Sequence, residues 1–265
     1  MPIFQPHRNT RWLARRRAGI TLAELLSATF VITLLAGAMG TLSYAVRSAN
    51  DFVGVQTNAA QHARVALERI GRNVEAAKAS EAFPGCVVAS TTVGSYSFPD
   101  RLIIWKSNGV AASQNEYPKI SDLIVYTYDP ANPSRLLEVT DTSLSVPLTS
   151  TSQVALNLVV ETLLASLTSS KVVVTDQLHA PTATSSRGAI RFRTILSPTA
   201  TQWSEYRAGT RTWGNIDWPL DIYGTTQGTR RVSCLTELQL RGSADGTQPA
   251  IPFYGSATLI HTLKN

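Results

Sequence analysis

Residues 25–46 form a run of 22 without Asp, Glu, Lys, Arg or His. Ahead of it lie Arg8, Arg11, Arg15, Arg16 and Arg17, with no acid among them. As a helix rising about 1.5 Å per residue, the run spans about 33 Å, enough for a hydrocarbon core of about 30 Å. Only Arg47 and Asp51 follow closely. The positive-inside rule then keeps the N-terminus in the cytoplasm and sends the C-terminal bulk across the membrane. A buried core helix would rarely sit behind five unpaired arginines. The same layout, with Ala36-Gly37-Ala38, also fits a cleavable secretory signal. That alternative would release an exported soluble β-rich binding protein cut near Ala38.

Glu24 separates the two readings. It stands at the start of the apolar segment, where a carboxylate is costly, and a disposable signal gains nothing from that cost. The surrounding string runs Arg15-Arg16-Arg17-Ala18-Gly19-Ile20-Thr21-Leu22-Ala23-Glu24-Leu25-Leu26. This segment resembles the N-terminal signature of the type IV pilin and type II secretion pseudopilin superfamily: a basic leader ending in Gly, an apolar residue, Thr-Leu, and Glu at the fifth mature position. The resemblance implies cleavage by prepilin peptidase between Gly19 and Ile20, and methylation of the new Ile20 amine. Ile20 departs from the commoner Phe. The resemblance also implies a partner for Glu24, the Ile20 amine of a neighbouring subunit. Opposite charges attract strongly where water is scarce, and an unmatched charge is penalised, so Glu24 would set the assembly register.

Helical periodicity continues beyond the apolar run. Ala63, Leu67, Ile70, Val74 and Ala77 make one stripe, with Arg64, Glu68, Arg69, Arg72 and Glu75 mostly on the other face. Pro84-Gly85 marks the expected stop, so residues 20–82 read as one long helix. Gly37, Gly40 and Gly54 read either as bends or close-packing points, or as glycines that a membrane helix tolerates. From Cys86 onward the pattern changes to short strands. Expected strands cover 101–105, 122–128, 135–139, 172–175, 189–196, 232–241 and 251–260, with a turn at 129–133 and a Ser/Thr/Pro linker at 140–153. Leu156, Val159, Val160, Leu163, Leu164 and Leu167 predict a short amphipathic helix.

The expected fold is α+β, a long N-terminal helix packed on an antiparallel sheet head, pilin-like by resemblance. Its divisions are a leader at 1–19, a transmembrane half-helix at 20–46, an amphipathic half at 47–82 and a periplasmic β-rich head at 83–265. Head size and the stretch Ala63-Arg64-Val65-Ala66-Leu67-Glu68-Arg69-Ile70 resemble the J-type minor pseudopilins and PilW-type minor pilins. That likeness implies a non-enzymatic subunit near a fibre tip. Its partners would be prepilin peptidase, other pilin or pseudopilin subunits and inner-membrane lipid. A DNA-uptake pilin is the alternative within the superfamily.

Composition limits the remaining classes. Hydrophobic residues reach 43%, which excludes disorder throughout. The net charge of +6 suggests nucleic acid, but without the five leader arginines 19 basic residues face 18 acidic ones. Trp203, Tyr206, Arg207, Arg211, Trp213 and Trp218 read either as a stacking platform for single-stranded nucleic acid or as a loop anchor or subunit contact. The near-neutral balance favours the second, and no nucleic-acid partner is expected. His7, His62, His179 and His261 have no acidic or cysteine neighbour at metal-ligand spacing. Asp217, Asp221 and Asp245 match no recognised calcium loop, so no metal and no cofactor is expected. There is no G-x-S-x-G, H-E-x-x-H or P-loop. Cys86 and Cys234 read either as a disulfide tying the helix end to the sheet or as two buried free thiols.

Overall fold

The computed structural model describes residues 19–106, 117–180, 188–242 and 249–265. The leader arginines, His7 and Asp245 lie outside the described residues. The chain divides into two compact units, Met1–Asp51 and Phe52–Asn265. Helix α1 (Leu22–Glu75) supplies the described structure of the first unit and enters the second.

In the first unit every described residue is exposed, including Leu25, Phe30, Leu34 and Leu42. Hydroxyls in this apolar stretch turn back onto their own helix. Ser27 donates to the Ala23 carbonyl (2.8 Å), Thr33 to that of Thr29 (3.0 Å) and Thr41 to that of Ala38 (2.9 Å). Those polar groups are satisfied without any other element.

The second unit is α+β. Its first sheet is an antiparallel array in the order β1 (Cys86–Val93), β2 (Tyr96–Trp105), β3 (Leu123–Tyr128), β4 (Leu136–Thr140) and β5 (Ser170–Thr175). Helix α2 (Gln153–Ala165) joins β4 to β5, and Ser152 caps it by accepting from the Ala155 N–H. The second sheet is also antiparallel, in the order β6 (Ile190–Ser197), β7 (Gln227–Leu240) and β8 (Ile251–Lys264). A short helix α3 (Ala200–Arg207) follows β6. The sequence predicts strands but does not divide them into two sheets.

The middle of the first sheet, from the second half of β2 through β4, is buried on both faces. Leu102, Ile104, Ile124, Tyr126 and Leu136 meet the α1 stripe and the inner residues Phe192, Val232, Cys234 and Leu238 of the second sheet. Ile103, Trp105, Leu123, Val125, Leu137 and Val139 face the opposite way, onto Leu156, Val159, Val160 and Leu163 of α2. Burial on both faces explains why these strands read as continuous apolar runs rather than alternating ones. The expected linker at 140–153 is packed rather than loose, with Leu148 buried and its N–H bonded to the Pro118 carbonyl (2.8 Å).

The buried stripe of α1 is Ala59, Ala63, Ala66, Ile70 and Val74, mostly small residues that let the helix lie close to the sheets. Leu67 is only partly buried, beside Gly255, where an added Cβ would sit 2.9 Å from the Leu67 Cδ2. The helix stops at Glu75, seven residues before the expected end at 82. The reason is tertiary: the Lys78 N–H bonds to the Trp105 carbonyl (3.1 Å) and the Trp105 N–H to the Gly85 carbonyl (2.9 Å). Phe83 is then buried edge-on against Trp105. Gly85 has φ +92° and no room for a Cβ, so glycine is required there. Leu167 lies beyond α2 and is fully exposed, a correction to the helix predicted through it.

Candidate functional site

Gly19 and Ile20 precede α1, and both are exposed. Nothing lies within 4 Å of a Cβ built on Gly19. Thr21 and Glu24 form a reciprocal cap at the start of the helix. The Thr21 N–H donates to Glu24 Oε2 (3.0 Å), as does the Thr21 hydroxyl (3.1 Å), while the Glu24 N–H donates to Thr21 Oγ1 (3.3 Å). This is the capping box of a T-x-x-E sequence, and it satisfies two N-terminal donors that would otherwise be bare. Sequence reasoning gave Glu24 only an intermolecular role, although the spacing from Thr21 spells the local one. The intermolecular role that the resemblance implies would use this same carboxylate, which stays exposed.

A second polar cluster lies in the head, on the face of α1 that the sequence assigns to solvent. Arg69 forks onto Glu138 of β4, Nε to Oε2 at 2.6 Å and Nη2 to Oε1 at 2.8 Å. The Tyr126 hydroxyl donates to Glu138 (2.5 Å) and accepts from Asn73 Nδ2 (2.6 Å). Burial alone would raise the Glu138 carboxyl, but the bonds from Arg69 and Tyr126 outweigh it and hold it below its ordinary value. Burial and the bond to Glu138 push the Tyr126 phenol up. The cluster borders a groove of about 520 Å³ lined by Val65, Arg69, Asn73, Lys106, Glu138 and Thr140. Its arginine and carboxylate satisfy each other, which suits a helix-to-sheet tie.

The aromatic segment folds on itself. Trp203, Ile216, Trp218 and Leu263 make a small buried core with Tyr206 and Trp213 against it. The Trp213 and Trp218 rings are 4.6 Å apart, and their indole N–H groups donate to the carbonyls of Gly224 and Trp213. Arg207 pairs with Glu81 (2.8 Å) and Arg211 with Glu205 (2.8 Å). The rings pack on one another in tilted and edge-on contacts and the arginines already hold carboxylates, an arrangement that matches a loop anchor. Thr199 and Gln202 cap α3 reciprocally, a signal that sequence reasoning also missed.

Cys86 and Cys234 are both free thiols, buried in the same core. The neighbouring Cys234 and burial raise the Cys86 thiol well above its ordinary range. His62 shares a hydrogen bond with the Thr175 hydroxyl (3.3 Å). His261 is held at about 4 by burial and by Arg230, its cross-strand neighbour. Arg230 is lowered to about 10 by burial. The Arg230 Nε and His261 Nε2 have no hydrogen-bond partner. The Asp217 carboxylate accepts from Gln202, and Asp221 is exposed with φ 54°. Among the described residues no three His, Cys, Asp or Glu side chains gather as a metal site.

Asp141 is a buried carboxylate that sequence reasoning did not single out. Asp141 accepts from the Ser143 N–H (2.7 Å) and from the hydroxyls of Ser143 (2.6 Å), Ser166 (2.8 Å) and Thr168 (2.9 Å). These bonds, Ser143 first, hold it well below the usual carboxylate range. They tie the end of β4 to the turn between α2 and β5, a structural role. Comparison with known proteins finds no matching family model, no similar curated protein and no similar solved structure.

Proposed function

We propose that the chain is a structural subunit of a pilin-type fibre, a minor pseudopilin or minor pilin rather than an enzyme. It waits in the inner membrane with its N-terminus cytoplasmic and its head periplasmic. Prepilin peptidase cuts between Gly19 and Ile20, the Ile20 amine is methylated, and the apolar helix then packs among neighbouring subunits near the fibre tip. The observation that carries this reading is the sequence of α1. Gly19, Ile20 and Glu24 stand at the mouth of a helix long and apolar enough to cross a membrane, with none of its most apolar stretch buried. An exposed apolar surface of that extent calls for lipid or other helices. Self-satisfied hydroxyls along it suit either medium.

The capping box supplies a discriminating test. Glutamine keeps the reciprocal cap and loses the charge, whereas alanine loses both. Incorporation into fibres is measured in competition with wild type. If the Glu24 charge meets a neighbour's amine, Glu24→Gln and Glu24→Ala are both excluded from fibres, although both are inserted and cleaved. Normal incorporation of Glu24→Gln would reduce Glu24 to a helix cap and remove the register role.

A further inference from the structure

The chain has two cysteines, and the fold brings both into one core. Cys86 opens β1 of the first sheet and is paired there with Ile104 of β2. Cys234 lies in β7 of the second sheet, between Thr194 of β6 and Ala257 of β8. β6, the hydrogen-bonded neighbour of β7, packs beside β1 and β2, which sets both cysteines in the core at the seam between sheets. Both belong to the same buried core as Ile70 and Val74, with exposures of 0% for Cys86 and 1% for Cys234. A free buried cysteine serves as a small apolar side chain and has no reason to seek another. Here the chain's two cysteines share one fully buried core.

We propose that Cys86 and Cys234 are joined by an intramolecular disulfide that staples the five-stranded sheet to the three-stranded one. The natural setting for this bond rests on the proposed export of the head, since disulfides persist in oxidising compartments. The oxidant is a disulfide-bearing oxidoreductase or oxidised glutathione. One cysteine thiolate attacks the oxidant's disulfide to give a mixed disulfide. The second thiolate displaces the oxidant's sulfur, the S–S bond forms, and the oxidant leaves reduced. The two thiols lose two protons and two electrons, and the oxidant's disulfide takes up the electrons. Both sulfurs are sealed in the folded head, so the exchange precedes closure of the sheets, and the finished bond is shielded from reductants.

The test has two arms, both with the full chain. In the first, detergent-solubilised protein is unfolded in urea, refolded in a glutathione redox buffer, denatured again and treated with a maleimide. The bridge predicts a monomer with no alkylated cysteine and a mass about 2 Da below the reduced chain. Two alkylated thiols, or a disulfide-linked dimer, overturn it. In the second arm, cells are quenched in acid, their thiols are alkylated under denaturing conditions, and the side of the membrane that carries the head is read by protease access in spheroplasts. An accessible head with blocked thiols supports the proposal, and an accessible head with two free thiols overturns it. A protected head with free thiols counts against export, and the first arm then decides the bridge alone.

Discussion

Arg69 and Arg72 lie one turn apart on α1 and look equivalent in the sequence, yet they should respond very differently to truncation. The Arg69 side chain is 42% exposed and forks onto a Glu138 side chain that is 11% exposed. The Arg72 side chain is 72% exposed, and its partner Glu68 is 56% exposed. Arg69→Ala removes two charge-assisted bonds and leaves Glu138 with the Tyr126 hydroxyl as its remaining donor in the cluster. Hydrogen bonds to charged groups contribute about 1.5–3 kcal/mol, and the exposure of Arg69 argues for the lower half of that range, about 2 kcal/mol. In a domain of about 200 residues this lowers the melting temperature by about 4–8 °C. Arg72→Ala loses an exposed i,i+4 pair, about 0.3–0.5 kcal/mol. The assay is thermal unfolding of the full chain in detergent, with Glu138→Gln added to close a double-mutant cycle. Coupling above about 1 kcal/mol between positions 69 and 138 is expected for side chains in direct contact. Equal and small shifts for the two arginine variants, with no coupling, would refute the tie between α1 and β4. Arg69→Asp would cost more still, because it sets a second carboxylate against Glu138.

Two further predictions concern the core of the head. Gly255→Val puts a branched side chain where even a Cβ is 2.9 Å from Leu67 Cδ2 and 3.3 Å from Leu67 Cβ. Overpacking of this kind costs about 1–3 kcal/mol, read as a lower urea midpoint, and a partner change Leu67→Ala should recover part of it. His261, held at about 4 by burial and then by Arg230, binds its proton less readily folded than unfolded. Its contribution to stability is therefore complete above about 6.5 and is lost as pH falls toward 4, by on the order of 3 kcal/mol. Melting curves of wild type against His261→Gln across that window should converge at low pH; parallel curves would show that His261 does not titrate with unfolding.

Much of this architecture was legible because it rests on local patterns. The apolar run and the arginines ahead of it need no tertiary information, and Ala63, Ile70 and Val74 announce their stripe by spacing alone. Strands such as Leu123–Tyr128 are readable from their β-branched and aromatic content. What escaped depends on partners distant in the chain. The stop of α1 at Glu75 is set by sheet carbonyls and amides that capture the following segment, not by Pro84-Gly85. The role of Arg69 depends on Glu138, 69 positions away. Helix α3 buries only Trp203, so it shows no stripe to detect, although Thr199 and Gln202 spell its cap. The Thr21–Glu24 cap was equally readable and was eclipsed by the intermolecular role that the family resemblance assigns to Glu24.

The central claim is that Ile20 becomes the first residue of the working protein, and intact-mass and N-terminal peptide analysis of membrane-extracted chain tests it most directly. In a host that has a prepilin peptidase, the account predicts a chain beginning at N-methylated Ile20. Gly19→Val should remain full-length in the membrane, because a β-branched side chain obstructs close approach of the protease to the backbone. A wild-type chain that begins at Met39, or one that keeps residues 1–19 while a known pilin in the same cells is processed, would contradict it.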